Sequence, residues 1–566
     1  MYQLLETLGF KKKIFFSIVV LISIFASILE VLGLGLLIPI ISSLLDDTFY
    51  LKFNNYLLPY GFKTFTQDSF LYFCIILLPS IFILKNLFLF FFHYLEANLI
   101  FKSLRDFSKN IYKIFLFQKY EFYINESSSN FFTKLGSELI ILQTYLISSV
   151  VFITESIILT FLIFFLLYFV FEEVIIIFLV VALSTFFFYF FFYKKIKNLG
   201  SSRKKLELKK TKTILETDSG IKEIKIYNRE NIFENDFNRN NEKIYDFFKK
   251  YYVIQKIPKL FFEAISVLTV SIFLFVLLKN SSSSDIIVKL ALVTGTIIRI
   301  LPSLNKIIHS YNTRKYAMPS VKGVLSFSKR LKTKNFSVNN DKQKFKDKIL
   351  ISNIKFNHKN KSGYQLIFDD LSLKIKKGDK ISIMGDSGSG KSTLIDIILG
   401  FLFPEKGRIT IDGTILKSQF FKNIISYCPQ LIYIFDKSIE KNISLESNSD
   451  QINIKKINKL KKICCLNNFP NSKKNKGLLG EGGLKISGGQ KQRIGIARAL
   501  YFDREILILD ESLNAIDLKT SKKILRNILE NYPNLTVILV THSKVLAKMT
   551  KKIYTIKDKK LKLNIK

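Results

Sequence analysis

Cysteine and histidine are scarce, at four residues each in a chain of 566. Cys74, Cys428, Cys464 and Cys465 show no metal-ligand spacing and no pairing pattern, which argues against a zinc site and a disulfide framework. His93, His309, His358 and His542 are scattered, so no His-based metal centre is expected. Acidic residues are also in short supply: 45 Asp and Glu face 85 Lys and Arg, a formal net charge of +40. Such a balance raises nucleic acid as a partner. The composition offers another cause. The chain is rich in Lys, Ile, Asn and Phe and poor in Ala, a drift that places lysine on ordinary surfaces, and the cytoplasmic loops of membrane proteins carry excess Lys and Arg. No nucleic-acid partner is expected.

Long apolar runs are plentiful. Hydrophobic residues make up 48% of the chain, and 55 residues are Phe. Six apolar segments stand out, roughly 14–45, 70–100, 138–170, 174–193, 253–278 and 286–310. Each is near or above the ~20 residues needed to cross the hydrocarbon core of a bilayer. The first follows Lys11, Lys12 and Lys13 and is too long for a signal-peptide core, so no cleavable signal is expected. Segment 194–256 holds 17 basic and 9 acidic residues, whereas the only basic residues of 46–69, 171–173 and 279–285 are Lys52, Lys63 and Lys279. That asymmetry predicts cytoplasmic termini and cytoplasmic connections at 101–137 and 194–256. Both connections are long and helix-patterned, predicting helices that run well past the membrane. Short helices across the cytoplasmic tips are expected within 125–139 and 216–231.

The domain plan follows: a helical transmembrane domain over 1–328, a polar linker over 329–347 and an α/β domain over 348–566, in which strand runs alternate with helices. Three motifs in this last part carry chemistry. The first is "GDSGSGKSTL": Gly385, Asp386, Ser387, Gly388, Ser389, Gly390, Lys391, Ser392 and Thr393 form a G-x-x-x-x-G-K-S loop between a strand and a helix. Its glycines let backbone N–H groups face phosphates, Lys391 brings positive charge to the β- and γ-phosphates, and Ser392 can ligate Mg²⁺. The second is "EILILDES", a buried strand ending in Asp510, which can hold Mg²⁺ through water, and Glu511, which can orient the attacking water. The third is "SGGQ", Ser487, Gly488, Gly489 and Gln490, a glycine turn opening a helix whose N-terminus suits phosphate.

With that third motif the chain resembles the ATP-binding-cassette superfamily. The resemblance covers 348–560 with the motifs in the family's order. It implies that "SGGQ" is the signature sequence, that Gln430 is the Q-loop glutamine and a Mg²⁺ ligand, that Asp517 belongs to the D-loop, and that His542 is the switch histidine on the γ-phosphate. It also places "GEGG" (480–483) at a loop that contacts intracellular helices in exporters. Three departures stand out: His358 where the family stacks adenine on Tyr, "NAID" in the D-loop, and Ser543 after the switch histidine. None removes a catalytic group. The resemblance therefore implies ATP hydrolysis with ATP and Mg²⁺ as cofactors. It implies an exporter-type (type IV) half-transporter, six spans followed by one cassette, that homodimerises to complete its ATP sites in the bacterial inner membrane. A soluble cassette ATPase conflicts with the spans; a cassette-gated channel is the remaining alternative class.

The membrane half resembles bacterial flippases for lipid-linked oligosaccharides in "ILEVLGLGLLIPIISSLL", "IPKLFFEAI" and "IIRILPSLNKI", implying an amphipathic or lipid-linked substrate; drug, lipid and peptide export are the alternatives. No room is expected before the first span for the cysteine-protease domain of peptide secretion systems. Thr296, Arg299, Ser303, Lys306 and Ser310 share one helix face, and Arg299 and Lys306 are the expected substrate-path residues, Arg299 toward an anionic head group. In the first outer connection, 46–62, Phe49, Phe53, Tyr56 and Leu57 fall on one face of a short interfacial helix between Asp46, Asp47 and Pro59, with Asn54 and Asn55 away from that face.

Overall fold

The computed structural model describes residues 12–45, 49–57, 64–169, 171–280, 283–331, 345–360, 363–415, 423–467 and 478–564. The chain divides into two compact units: residues 1–118 with 122–336, and residues 119–121 with 337–566.

The first unit is helical. The helices that precede the first strand are α1 (Lys12–Gly35), α2 (Leu37–Leu45), α3 (Phe49–Leu57), α4 (Gln67–Leu116), α5 (Tyr120–Asn125), α6 (Ser128–Leu135), α7 (Ser137–Phe169), α8 (Phe171–Ser219), α9 (Ile221–Ile226), α10 (Glu230–Asn280) and α11 (Ser283–Arg330). Among the described residues five helices are long and apolar enough to cross a membrane. The expected segment 174–193 lies in α8, where most side chains are outside the described residues. Helices of 50, 49, 51 and 48 residues extend about 75 Å at 1.5 Å per residue, more than twice a bilayer core. Their apolar side chains face outward as lipid contact requires: Tyr72, Ile76, Leu87 and Phe90 are all exposed. Both expected tip helices are present. Ser127 caps α6 by accepting from Asn130 N, and α9 follows Gly220.

Helix α3 occupies the first outer connection, but its lining differs from the expected pattern. Asn54 is buried, its amide exchanging two hydrogen bonds with the backbone of Phe65, at 2.8 and 2.9 Å. A buried amide needs partners, and the chain entering α4 supplies them. Asp46, Asp47 and Pro59 lie outside the described residues, as do the side chains of Phe53, Tyr56 and Leu57.

The second unit holds two sheets. The antiparallel one runs β2-β1-β4-β5, from β1 (Lys348–Asn360), β2 (Gly363–Lys376), β4 (Lys406–Ile411) and β5 (Thr414–Ile415). The six-stranded one runs β10-β9-β3-β8-β7-β6, from β3 (Lys380–Gly385), β6 (Ile425–Cys428), β7 (Ile506–Asp510), β8 (Thr536–Val540), β9 (Lys552–Lys557) and β10 (Lys560–Asn564). Strands β9, β3, β8, β7 and β6 run parallel to one another, and β10 is antiparallel to β9. Every residue of β7 and β8 is buried, as continuous Ile/Leu/Val runs in a parallel sheet demand. Helices α12 (Lys391–Ile398), α13 (Ile439–Ser444), α14 (Ile454–Ile463), α15 (Gly488–Tyr501), α16 (Leu518–Asn531) and α17 (Lys544–Ala547) complete the unit.

Candidate functional site

In an open α/β sheet, ligands bind outside the carboxyl ends of the strands. Four adjacent parallel strands deliver the candidate groups to that edge. The phosphate-type loop follows β3, His542 follows β8, Glu511 follows β7 and Gln430 follows β6. Residues more than 100 positions apart in sequence are thereby brought into contact.

Glu511 is the hub. Its Oε1 lies 2.9 Å from His542 Nε2 and 4.0 Å from Lys391 Nζ. Its Oε2 accepts from Gln430 Nε2 at 3.0 Å and from Asn514 Nδ2 at 3.2 Å. Its backbone has a φ of 48°, in the left-handed region, and its N–H donates to Val540 O at 3.0 Å. A non-glycine residue persists there only when its surroundings over-determine it, and such residues gather at functional sites. Gln430 is itself braced from behind, its carbonyl accepting from Gln492 Nε2 at 2.7 Å.

The loop before α12 is shaped by its glycines. Gly388 and Gly390 have φ of 79° and 99°, and a Cβ on Gly390 would lie 2.8 Å from Ile367 and 2.9 Å from Phe368 on β2. The Lys391 ammonium is buried and donates to the carbonyls of Gly385 and Asp386, at 3.0 and 2.9 Å. Asp386, Ser387, Gly388 and Ser392 are exposed, and Ser389 Oγ is buried without a hydrogen-bond partner among the described residues. An exposed glycine cradle, a buried lysine and an orphaned hydroxyl fit a phosphate chain with its metal ion. Beside them Asp510 is buried and accepts from Tyr427 OH at 3.0 Å. Burial raises its carboxyl above the usual range.

Residues 14–302, more than half of the chain, match the family model for the ABC transporter transmembrane region, and residues 368–514 match the model described as ABC transporter. The chain belongs to the ABC transporter family. A probable multidrug resistance ABC transporter ATP-binding/permease protein of Bacillus subtilis is 29% identical over 345 residues, 58% of this chain and 57% of that protein. An ATP-dependent lipid A-core flippase of Desulfotalea psychrophila is 32% identical over 224 residues, 38% of each chain. A lactococcin-A transport/processing ATP-binding protein of Lactococcus lactis is 37% identical over 202 residues, 34% of this chain and 28% of that protein. The matched stretches thus span little more than half, or less, of these relatives' length. The fold is that of a solved bacterial Atm1-family ABC exporter with ATP bound, with a TM-score of 0.73 at 20% identity over 96% of this chain and 95% of the other.

In this ABC transporter chain the glycine turn at 487–490 opens α15 and is not at one of the four strand ends that carry the Glu511 hub. Ser487 caps α15 in a capping box with Gln490, each side chain bonding the other's backbone N–H. Gly489 packs against the Ala515 carbonyl, where a Cβ would come within 3.1 Å, whereas a Cβ on Gly488 would meet nothing within 4 Å. Asp517 caps α16 through Thr520 N at 2.8 Å. His358 is exposed on β1 opposite Gln365 of β2, two residues before the Ile367 that backs the phosphate loop. A cavity of about 490 Å³ lined by Lys377, Arg504 and Tyr532 sits at the amino ends of β7 and β8, the edge away from this site.

In the helical unit, Arg299 and Lys306 both have acidic partners. Arg299 pairs with Glu30 of α1, and Glu30 Oε2 also takes Lys85 Nζ of α4 at 2.8 Å. Lys306 Nζ meets Glu155 Oε1 of α7 at 2.5 Å, and Ser303 Oγ donates to Glu155 Oε2 at 2.8 Å. Thr296, Ser303 and Ser310 are buried, Thr296 and Ser310 bonding carbonyls of their own helix, whereas Lys306 is exposed. Sequence reasoning missed Glu30, Lys85 and Glu155, as well as Tyr427 and Asn514. A lone carboxylate within an apolar run is itself a signal, because a charge inside a span needs a partner. Tyr427 and Asn514 carry no comparable mark.

Proposed function

We propose that this chain hydrolyses ATP as one half of a homodimer and uses the cycle to export an amphipathic molecule, a lipid-linked oligosaccharide being the cargo its residues suit best. The observation that carries the ATPase reading is Glu511, held by Gln430, Asn514 and His542 beside Lys391. Lys391 and the N–H groups of the glycine loop would bind the phosphates. Ser392, Gln430 and, through water, Asp510 would hold Mg²⁺, which neutralises charge on the β- and γ-phosphates when bound. Glu511 orients the attacking water and accepts its proton, with His542 at the γ-phosphate. Ser487, Gly488, Gly489 and Gln490 would close the site from the partner chain, with Asp517 at the same interface. His358 would lie against the base.

The cargo reading rests on charge. Lys85 and Arg299 share one carboxylate, Glu30, so that cluster holds one more positive charge than Glu30 balances. An unbalanced charge in a bundle interior is costly unless an anion meets it, and a lipid-linked oligosaccharide carries its anionic group between tail and sugar. The lipid A-core flippase among the relatives favours the same class. The multidrug and lactococcin relatives keep drug and peptide export as the second reading. The bacterial relatives and the basic connections favour an inner membrane with the cassette in the cytoplasm.

The test is ATPase activity of the purified chain in nanodiscs, with flipping scored in proteoliposomes. The panel is a polyprenyl-pyrophosphate oligosaccharide, a lipid A-type glycolipid, a phospholipid, a hydrophobic cation and a peptide. The polyprenyl substrate is expected to stimulate most and to be flipped. Stimulation by the cation or peptide alone would replace this cargo, and no hydrolysis under any condition would remove the ATPase reading.

A further inference from the structure

We propose that Tyr427 is a positioning residue for the carboxylate that would hold the metal through water at this site, its phenol fixing one Asp510 oxygen so that the other is left for that water. The inference rests on the proposed ATPase reading and adds a residue to which neither the motifs nor the relatives assign a part.

The register explains how the contact forms. Tyr427 on β6 stands opposite Ile508 on β7, and Asp510 is two residues further along the same face. A diagonal neighbour at that spacing lies within reach of a long aromatic side chain. The phenol reaches Asp510 Oδ2 at 3.0 Å. Asp510 is buried at the carboxyl end of β7, where rotating its carboxylate would strand an oxygen without a donor.

The Tyr427 hydrogen bond holds the Asp510 carboxylate against that rotation. Tyr427 also stands three residues before Gln430, so one strand end carries both this donor and a candidate metal ligand. A phenylalanine at 427 would preserve the packing and remove only the donor.

The experiment uses the full-length protein carrying Glu511→Gln, so that nucleotide is not consumed. Mn²⁺ binding in the presence of ATP is followed by electron paramagnetic resonance, and ATP binding without metal is measured in EDTA. Adding Tyr427→Phe is expected to weaken Mn²⁺ about 10- to 100-fold, as loss of an outer partner of a metal ligand does, with ATP binding in EDTA unchanged. Mn²⁺ affinity unchanged by Tyr427→Phe would overturn the proposal, as would an equal loss of ATP binding in EDTA, which marks a packing role. Absence of Mn²⁺ binding with Tyr427 in place would overturn the ATPase reading beneath it.

Discussion

Glu511 is fastened at both oxygens and through its own N–H, while its backbone sits in a conformation that few non-glycine residues adopt. That much restraint on one carboxylate suits a base that must meet water at a fixed angle. Glu511→Gln keeps the shape and removes the base. Turnover is expected to fall about 10²- to 10⁴-fold while nucleotide binding persists; near-normal steady-state hydrolysis would refute the assignment. Asn514 adds a donor to Oε2, so Asn514→Ala should lower kcat by a few-fold to tenfold, the worth of one hydrogen bond of about 0.5–1.5 kcal/mol, with KM for ATP unchanged. A rise in KM at constant kcat would instead place Asn514 in nucleotide binding. At this scale the loop motifs named Lys391 and Glu511, and the family resemblance named Gln430 and His542. They could not name Asn514 or Tyr427, whose roles depend on how far a side chain reaches across a turn or a strand pair.

Elements show where spacing succeeds and where it stops. The apolar runs and the tip helices were legible because hydrophobic length and polar interruptions are local properties, as Ser127 and Gly220 illustrate. The Glu30 cluster was not, since its members come from three helices separated by 55 and then 214 residues. The cluster gives a sharp comparison. Glu30→Gln leaves Lys85 and Arg299 without their carboxylate, and breaking a buried pair in this way costs about 3–5 kcal/mol. Arg299→Ala leaves Lys85 with Glu30 intact. The thermal midpoint in detergent is therefore expected to drop clearly for Glu30→Gln and little for Arg299→Ala, whose loss should appear in transport. Equal midpoints for the two variants would contradict a charge cluster centred on Glu30. In the cassette, Gly390→Ala combines a left-handed φ with overlap on Ile367 and Phe368. It is expected to abolish nucleotide binding in a fluorescent-analogue titration, and retained affinity would show that the loop can shift away from β2.

The whole molecule holds two surfaces suited to phosphate, each built on its own loop and helix start. The loop at 385–392 backs onto β2 and Glu511, whereas the turn at 487–490 backs onto Ala515 and leaves Gly488 open. A second copy related by a two-fold axis would offer its turn to this loop and receive the reverse, making two equivalent sites. Complementation tests that arrangement. Lys391→Ala removes the ammonium from the loop. Gly488→Asp puts a carboxylate on the turn where no neighbour is displaced, a cleaner block than Gly489→Asp, whose Cβ would crowd the Ala515 carbonyl. Each variant alone should be nearly inactive, because both of its sites carry one damaged face. In a mixed dimer one site carries both defects and the other carries none. Random pairing makes half of the dimers mixed, so co-expressed chains should recover up to about a quarter of normal ATPase activity. Activity no higher than that of either variant alone would mean that the two faces do not meet across the dimer, and that each chain completes its site by another route.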